Sequence, residues 1–194
     1  MDLYDEAMTR FERLFAEAQK TDLREPGVMT LATSTADGSP SVRTMVVRNF
    51  DRHGFVFFTN SRSRKGEQLA ANPRAALCFF CQPLWEQVTI EGDVEVVEGE
   101  DVEHWWSSRS RDKQFAAWAC DQSAPLESLE TLKGRLAECR AEYVDGRVPR
   151  PPHWFGYRLV PRRIEFWKTG WRNLHDRVCY ERDASGWRKV LLNP

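Results

Sequence analysis

The chain has 194 residues, with 28 basic and 29 acidic side chains and a formal net charge of −1. This balance argues against general binding to nucleic acid or to a membrane surface. A hydrophobic content of 41% and an aromatic content of 12% are typical of a globular protein and exclude a disordered one. The length predicts a single domain, residues 1–194, with one well-buried core.

The N-terminus and the cysteines both predict a cytoplasmic protein. Met1–Glu6 is acidic where a secretory signal would be basic, and no apolar run reaches the length of a membrane span. Cys78, Cys81, Cys120, Cys139 and Cys179 are an odd number without the spacings of a disulfide framework. Cys78 and Cys81 form a C-x-x-C pattern within an apolar strand pattern. We therefore expect buried structural thiols there and no metal or redox site.

Hydrophobic periodicity predicts the elements of the first half in chain order. Residues 3–20 have the spacing of a helix. Strands are predicted at Val28–Ser34, Ser41–Phe50, Phe55–Thr59, Arg74–Cys81 and Gln87–Val97, with a short helix at Gly66–Ala71. Tight turns at Ala36–Pro40 and Asp51–Gly54 join the first three strands. One helix followed by closely spaced strands favours an antiparallel barrel or sandwich.

The second half begins with helices and returns to strands. Helices are predicted at Glu100–Ser108, Gln114–Cys120 and Leu126–Tyr143. Gly146–Pro152 contains three prolines and forms a stiff connector. Further strands are predicted at Phe155–Val160, Arg163–Trp167, Arg177–Arg182 and Trp187–Leu192. Because strands lie on both sides of the helical insert, we expect the tail to complete the first sheet.

A cluster of cations lies where the third strand ends and a helix begins. Thr59–Ser63 are hydroxyl-rich and amide-rich turn residues, and Gly66–Ala71 continue as the short helix. A helix N-terminus offers free N–H groups and the positive end of a dipole. Arg62, Arg64 and Lys65 add positive charge there, so the segment suits a phosphate monoester. A solvated, charged helix start is the alternative interpretation.

Further polar residues interrupt apolar segments elsewhere. Arg43 and Arg48 lie in one strand, five residues apart, and point to opposite faces unless a bulge intervenes. Gln122 and Ser123 follow a helical segment, and the tail carries Trp167 and, after a short gap, Leu174-His-Asp-Arg177. Taken singly, each has an ordinary structural explanation: arginines at a sheet edge, a capping serine or a hydrogen-bonded histidine.

Taken in order, the motifs resemble those of the pyridoxine (pyridoxamine) 5′-phosphate oxidase family. They are Phe-Phe-Thr-Asn, Ser-Arg-Lys-Gly, Asn-Pro-Arg-Ala-Ala, Gln-Val-x-Ile-Glu-Gly, Val-Pro-Arg-Pro-Pro, Ile-Glu-Phe-Trp and Leu-His-Asp-Arg, and the resemblance runs from about Phe11 to Pro194. It implies a mainly β fold with helices, an antiparallel split β-barrel that binds FMN and carries a helical insert. It also implies a homodimer with FMN in the subunit interface.

The resemblance implies a set of flavin-binding residues. Arg43 matches the arginine that opens the flavin-binding strand, and Arg64 and Lys65 match the phosphate-binding pair. The full set comprises Arg43, Arg48, Phe58, Thr59, Ser63, Arg64, Lys65, Gln87, Gln122, Ser123, Trp167 and Arg177. Two cations, a hydroxyl and free N–H groups at the Ser63–Lys65 segment are chemically coherent with the monoester of FMN.

The resemblance also implies a substrate site, with departures from the family pattern. Arg109 matches an arginine that grips the substrate phosphate, and His175 matches a substrate-facing histidine; these are the implied catalytic residues. Four other substrate positions depart: Arg48 replaces a lysine, Trp105 a tyrosine, Lys113 a serine and Asn173 an arginine. Positive charge is kept, so an anionic substrate is still expected, but its identity is open. The chain starts late, and we expect the family's N-terminal segment, which can cover the pocket, to be missing or very short.

The leading hypothesis is an FMN-dependent oxidase that converts pyridoxine or pyridoxamine 5′-phosphate to pyridoxal 5′-phosphate. In the family, C4′ of the substrate gives a hydride to the flavin, which O2 reoxidises with release of peroxide. One alternative keeps the fold and FMN but uses another anionic ring substrate, as in relatives that serve secondary metabolism. Another is a non-catalytic flavin-binding protein or cofactor carrier, against which the presence of both Arg109 and His175 argues.

Overall fold

The computed structural model describes residues 2–144 and 146–194; the side chain of Asn173 lies outside the described part. The helices are α1 (Leu3–Ala18), α2 (Arg64–Ala71), α3 (Glu100–Ser107), α4 (Arg111–Ala119) and α5 (Leu129–Glu142), with short 3-10 turns at Gln82–Leu84 and Trp171–Asn173. The strands are β1 (Val28–Ser34), β2 (Pro40–Asp51), β3 (Gly54–Asn60), β4 (Arg74–Cys81), β5 (Glu86–Val97), β6 (Trp154–Lys168), β7 (Asp176–Asp183) and β8 (Gly186–Leu191). None of the helices in the described ranges is both long and apolar enough to cross a membrane.

The strands form one antiparallel sheet that closes on itself. Their order is β3-β2-β1-β4-β5-β6-β7-β8, and an additional pairing of β3 with β6 closes the first six strands into a barrel. Strands β7 and β8 continue the sheet beyond β6. The helices α3, α4 and α5 lie between β5 and β6 in the chain. The predicted antiparallel barrel with a helical insert, completed by the tail, is therefore confirmed.

Strand β6 differs from its prediction. The sequence predicted two strands separated by Pro161, whereas one strand runs from Trp154 to Lys168. Glu91 of β5 pairs with Arg163 and the next residue, Gly92, pairs with Pro161, so Arg162 is the extra residue of a bulge in β6. The missing N–H of Pro161 therefore falls where the ladder is already irregular. A Cβ on Gly92 would lie 2.0 Å from the Val160 carbonyl oxygen, and this close approach requires glycine.

Helix α1 supplies a large part of the main core. Its apolar face has the predicted helical period, and Phe11 is completely buried at its centre. The ring of Phe11 meets those of Phe50, Phe55 and Phe79 edge to face, with centroids 4.9, 5.0 and 5.7 Å away. Edge-to-face contacts of this kind add to the gain from burial. Helix α1 therefore packs against the barrel core.

A second apolar cluster packs the helical insert against the start of β6. It consists of Val102, Trp106, Phe115, Val148 and Trp154. The indole N–H of Trp106 donates to the Val148 carbonyl at 2.9 Å, so the stiff connector is tied to α3. This packing fixes α3 and α4 beside the end of the barrel at which the cavity described below opens.

Candidate active site

The cation-rich segment lies where β3 passes into α2. The helix begins at Arg64, two residues earlier than predicted, because Ser63 caps it: its Oγ accepts a hydrogen bond from the Gly66 N–H at 3.4 Å. The same hydroxyl donates to the Asn60 carbonyl at 2.7 Å. Arg64 and Lys65 therefore belong to the first helical turn, where N–H groups lack partners within the helix. We call Arg43, Thr59, Ser63, Arg64 and Lys65 the helix-start cluster.

Lys65 is a buried cation held by neutral groups. It is 6% exposed, and its Nζ donates to the hydroxyls of Thr59 and Ser63, each at 3.2 Å. Burial, and then the positive charge of Arg43, lower the pKa of Lys65 to about 8. Among the ion pairs of the described residues, none involves Arg43, Arg64 or Lys65. The cluster therefore has a positive charge that a bound anion would compensate.

Arg43 is also surrounded by neutral acceptors. Its guanidinium donates to the Leu31 carbonyl at 3.2 Å, to the hydroxyls of Thr33 and Ser41 at 2.6 Å each, and to the Gln68 amide oxygen at 3.3 Å. Burial, and then the charge of Arg64, lower the pKa of Arg43. Sequence reasoning did not find these three side-chain partners. One feature of the sequence could have indicated Thr33 and Ser41. They are polar residues at one end of a strand face of β1 and β2 that is otherwise largely apolar.

A cavity opens between β2, β3 and the helices α3 and α4. One part, of about 460 Å³, is lined by Thr44, Met45, Val46, Arg48, Phe58, Trp105, Ser108, Arg109, Ser110, Lys113 and Trp154. A neighbouring part of about 470 Å³ shares Met45, Phe58, Arg109, Lys113 and Trp154 and adds Thr59, Asn60, Ala116, Ala117, Cys120 and Gln122. Because they share five lining residues, the two parts form one space, which has the size of a small-molecule site.

Two arginines bring positive charge to this cavity. The Arg109 guanidinium lies over the rings of Trp154 and Trp106, 5.2 and 5.8 Å from their centroids, and donates to the Lys113 carbonyl at 3.2 Å. Its buried Nε has no acceptor within the described part of the chain. Burial, and then the charge of Arg48, lower the pKa of Arg109. An anion in the cavity would accept a hydrogen bond from this Nε and would compensate the positive charge of Arg109.

Arg48 reaches the cavity through a backbone irregularity. The register of β2 against β3 shifts between Val47 and Asn49, which places Arg48 in a bulge. The sequence predicted that Arg43 and Arg48 point to opposite faces of the strand unless a bulge intervenes. The structure has such a bulge, at Arg48. Arg48 forms a long ion pair with Glu25 at 3.9 Å, with both side chains substantially exposed. This pair stabilises little, so Arg48 can still attract an anion.

Aromatic rings form the apolar wall of the cavity. Phe58 stacks on Trp154, with centroids 4.9 Å apart and planes 5° apart, and Trp105 lies 5.9 Å from Phe58. Lys113 lines the cavity from the exposed side of α4. A planar ligand with a negative charge would meet rings on one side and cations on the other.

The loop after α4 joins the cavity to the helix-start cluster. The Thr59 hydroxyl donates to the Gln122 side-chain oxygen at 3.4 Å. The next residue, Ser123, has φ +77°, a left-handed conformation that is costly for a residue other than glycine. Both loop residues are exposed. Backbone strain beside a polar cavity is typical of a binding loop.

The remaining predicted residues form a separate row on β5, β6 and β7. Gln87 is paired with Trp167, and Trp167 with Arg177, so their side chains share one face of the sheet. The ring of His175 lies 4.9 Å from that of Trp167. We call Gln87, Trp167, His175 and Arg177 the β5–β7 cluster. Among the hydrogen bonds, ion pairs and ring contacts of the described residues, none joins this cluster to the cavity or to the helix-start cluster.

A buried carboxylate, not identified from the sequence, orients Arg177. Glu165 is 8% exposed, and one of its oxygens accepts from Arg177 Nε at 2.8 Å and lies 2.6 Å from Nη2. Its other oxygen accepts from Arg163 at 2.5 Å. Although burial opposes it, these hydrogen bonds hold the pKa of Glu165 below its ordinary value. The sequence contained an indication of this role, because Glu165 stands two residues before Trp167 and therefore lies on the same face of the strand.

The fold and the site define an antiparallel-barrel protein with a cavity lined by cations and aromatic rings. The model of the family described as pyridoxamine 5′-phosphate oxidase matches residues 15–143. That of the pyridoxine 5′-phosphate oxidase C-terminal dimerisation region matches residues 154–194. The chain belongs to the pyridoxamine 5′-phosphate oxidase family, and the resemblance found in the sequence is confirmed.

Individual relatives agree with this assignment. The chain is 48% identical to the pyridoxine/pyridoxamine 5′-phosphate oxidase of Alkalilimnicola ehrlichii over an alignment of 196 positions, which covers 100% of each chain. It superposes with a TM-score of 0.92 on PhzG from Burkholderia lata 383, solved with tetrahydrophenazine-1-carboxylic acid; identity is 33%, and 100% and 97% of the two chains are covered. A pyridoxamine 5′-phosphate oxidase-related, FMN-binding protein from Nostoc punctiforme shares the fold at TM-score 0.77 and 19% identity, with 100% and 98% covered.

Proposed function

We propose that the protein is an FMN-dependent oxidase that converts pyridoxine and pyridoxamine 5′-phosphates to pyridoxal 5′-phosphate with O2. The observation that carries this proposal is a cavity with aromatic walls and cations in its lining, with the helix-start cluster beside it. Arg109 lines both parts of the cavity, and Lys65 is linked to the cavity by its hydrogen bond to Thr59, which lines the second part. A phosphorylated cofactor and a phosphorylated substrate bound face to face would need this distribution of charge.

The residues present fit FMN. Arg43, Ser63, Arg64 and Lys65 would hold its phosphate, because three cations without carboxylate partners surround a helix N-terminus. Phe58, Thr59, Gln122, Ser123 and Arg48 would line the rest of the cofactor, joined by Gln87, Trp167 and Arg177 of the β5–β7 cluster. When bound, FMN supplies the redox chemistry: it accepts a hydride from the substrate and is reoxidised by O2.

The substrate would bind through the cations and rings of the cavity. Arg109 would hold the phosphate, with Arg48 and Lys113 adding charge and Trp105 contacting the ring. His175 would orient the substrate ring, because its own ring is steadied by contact with Trp167. A role for Asn173 stays a prediction, since its side chain lies outside the described part. These residues would contribute binding, orientation and charge.

A second candidate keeps the cofactor and changes the substrate. PhzG from Burkholderia lata, 33% identical, was solved with a tetrahydrophenazine carboxylic acid. Trp105 and Lys113, two of the positions that depart from the family pattern, both line the cavity. A tryptophan and a lysine ammonium suit a larger aromatic carboxylate as well as a pyridoxine phosphate.

Peroxide release separates these functions. The flavin-loaded protein should release peroxide on addition of pyridoxine 5′-phosphate, and unphosphorylated pyridoxine serves as the control for the phosphate site. Turnover only with a polycyclic carboxylate would favour the second candidate. A protein that holds flavin but turns over neither class would be a non-catalytic flavin carrier.

We expect a homodimer whose two chains jointly complete each FMN site. No hydrogen bond, ion pair or ring contact among the described residues joins the β5–β7 cluster to the cavity of its own chain, and nearby Trp171 and Leu174 are 72% and 62% exposed. Exposed aromatic and aliphatic side chains are favoured at interfaces, and the C-terminal family model is a dimerisation region. Light scattering on the flavin-loaded protein should give twice the chain mass. A monomer with one FMN per chain would contradict the shared site.

FMN affinity should decrease above about pH 8. In the ligand-free protein the pKa of Lys65 is lowered to about 8, first by burial and then by Arg43. A bound phosphate raises that pKa, so binding above pH 8 requires uptake of a proton and becomes weaker with rising pH. Titration of ligand-free protein with FMN between pH 7 and pH 10 should show this decrease. The variant Lys65→Arg, which stays charged, should show a flatter profile, and identical profiles would contradict the role of Lys65.

Two further expectations stay predictions. We propose that residues 1–194 act as one domain, because β6, which follows the helical insert, pairs with β3 and β5, which precede it. The cytoplasmic location expected from the cysteines and the acidic N-terminus also stays a prediction.

A further inference from the structure

Gln68 lies at the centre of a hydrogen-bond network beneath the helix-start cluster. It is 4% exposed, on α2, and its amide oxygen accepts from the Thr33 hydroxyl at 2.6 Å, the Ser41 hydroxyl at 2.7 Å and Arg43 Nη2 at 3.3 Å. The same two hydroxyls accept from Arg43 at 2.6 Å each. Thr33 and Ser41 are paired across β1 and β2, two residues from Leu31 and Arg43, so all four lie on one face.

The direction of the hydrogen bonds in this network follows from Arg43. A guanidinium has donors only, so Thr33 and Ser41 accept from Arg43, and Gln68 must face Arg43 Nη2 with its amide oxygen; hydroxyls that contact the same oxygen donate to it. The amide of Gln68 must therefore present its oxygen to both hydroxyls and to Arg43. Its Nε2 is buried without an acceptor in the described part of the chain. Gln68 thus acts only as an acceptor in this network, and its Nε2 donor is not used by it.

The network holds Arg43 without neutralising it. Each acceptor of its guanidinium is a neutral oxygen, and no carboxylate pairs with it among the described residues. We propose that Gln68 is a positioning residue of the anion site: its neutral amide oxygen fixes the guanidinium of Arg43 while leaving its positive charge available to the ligand phosphate. This proposal rests on the proposed binding of FMN.

Two substitutions of Gln68 separate positioning from simple packing. Gln68→Glu keeps the size and the acceptor oxygens but places a carboxylate against Arg43. We expect this variant to be at least as stable to heat as the wild type, because it gains an ion pair, and to bind FMN at least about tenfold more weakly. Gln68→Leu removes the acceptor, and its loss of FMN affinity should disappear when Arg43 is already leucine, because the two residues act as one unit.

Ser34→Ala is the matched control. Ser34 accepts from Asn72 Nδ2 at 2.9 Å, so this variant removes a hydrogen bond between α2 and β1 beside the network without touching Arg43. FMN and riboflavin affinities should be measured for each full-length protein by quenching of flavin fluorescence. We expect Ser34→Ala to bind FMN as the wild type does, and the Gln68 variants to bind riboflavin, which lacks the phosphate, as the wild type does.

The outcomes are distinct. A Gln68→Glu variant that is folded and keeps wild-type FMN affinity would overturn the proposal. So would equal losses of FMN and riboflavin affinity, or an additive effect of Gln68→Leu in the Arg43→Leu background, since both indicate a packing role. Wild-type protein that binds riboflavin but not FMN overturns the phosphate site itself, and with it this proposal. If Gln68→Leu does not fold, the Gln68→Glu result alone decides.

Discussion

The double variant Arg64→Ala, Lys65→Ala should lose its FMN while its barrel stays folded. Both side chains belong to the first turn of α2, and Lys65 is buried with only hydroxyls as partners. Each hydrogen bond to a charged group contributes about 1.5–3 kcal/mol, so losing two should raise the Kd for FMN at least about a hundredfold. Flavin absorbance after gel filtration in low micromolar FMN measures the occupancy, and circular dichroism reports the fold.

Removal of two surface cations provides the control for this experiment. Arg13 lies on α1, and Lys20 lies just beyond its end. Both are exposed, and neither lines the cavity. Arg13→Ala, Lys20→Ala changes the net charge by the same amount and should retain its flavin. Full flavin occupancy in the Arg64, Lys65 double variant would refute the phosphate site.

Substitutions of Arg109 and His175 should impair turnover without releasing FMN. Arg109→Ala removes a cation that lines both parts of the cavity and that we propose holds the substrate phosphate, so we expect KM for pyridoxine 5′-phosphate to increase about tenfold to a hundredfold. His175→Ala removes the ring that we propose orients the substrate, so kcat should decrease more than KM changes. Steady-state kinetics on variants with full flavin occupancy measure both effects.

Ser110→Ala is a suitable control for the arginine variant. Ser110 lines the same part of the cavity as Arg109 but carries no charge, so its loss should change KM only slightly. An Arg109→Ala variant with wild-type KM would remove Arg109 from the substrate site. Loss of flavin from either variant would show that the division between the cofactor and substrate residues is wrong.

Local patterns predicted most of the fold. Alternation along β1 and the helical period of α1 depend on which residues face the core, so the sequence alone reveals them. The start of α2 and the continuity of β6 could not be predicted with the same accuracy. The first depends on the Ser63 cap, and the second on a bulge at Arg162, next to Pro161, which lets β6 remain paired with β5.

The candidate site was predictable in its residues but not in their partners. Motif order located Arg43, Lys65 and Arg109, because the chemistry of an anion site requires cations. The roles of Gln68 and Glu165 depend on side chains more than ten residues away in sequence, which no local pattern reports. The separation of the β5–β7 cluster from the cavity is likewise a property of the closed barrel rather than of any segment.

The most direct measurement of the proposed reaction follows the colour of the flavin-loaded protein without oxygen. Addition of pyridoxine 5′-phosphate should bleach the flavin absorbance as pyridoxal 5′-phosphate forms, and admission of oxygen should restore the colour and release an equal amount of peroxide. Flavin absorbance that stays unchanged with both pyridoxine and pyridoxamine 5′-phosphates, in protein with full flavin occupancy, would contradict the proposed function.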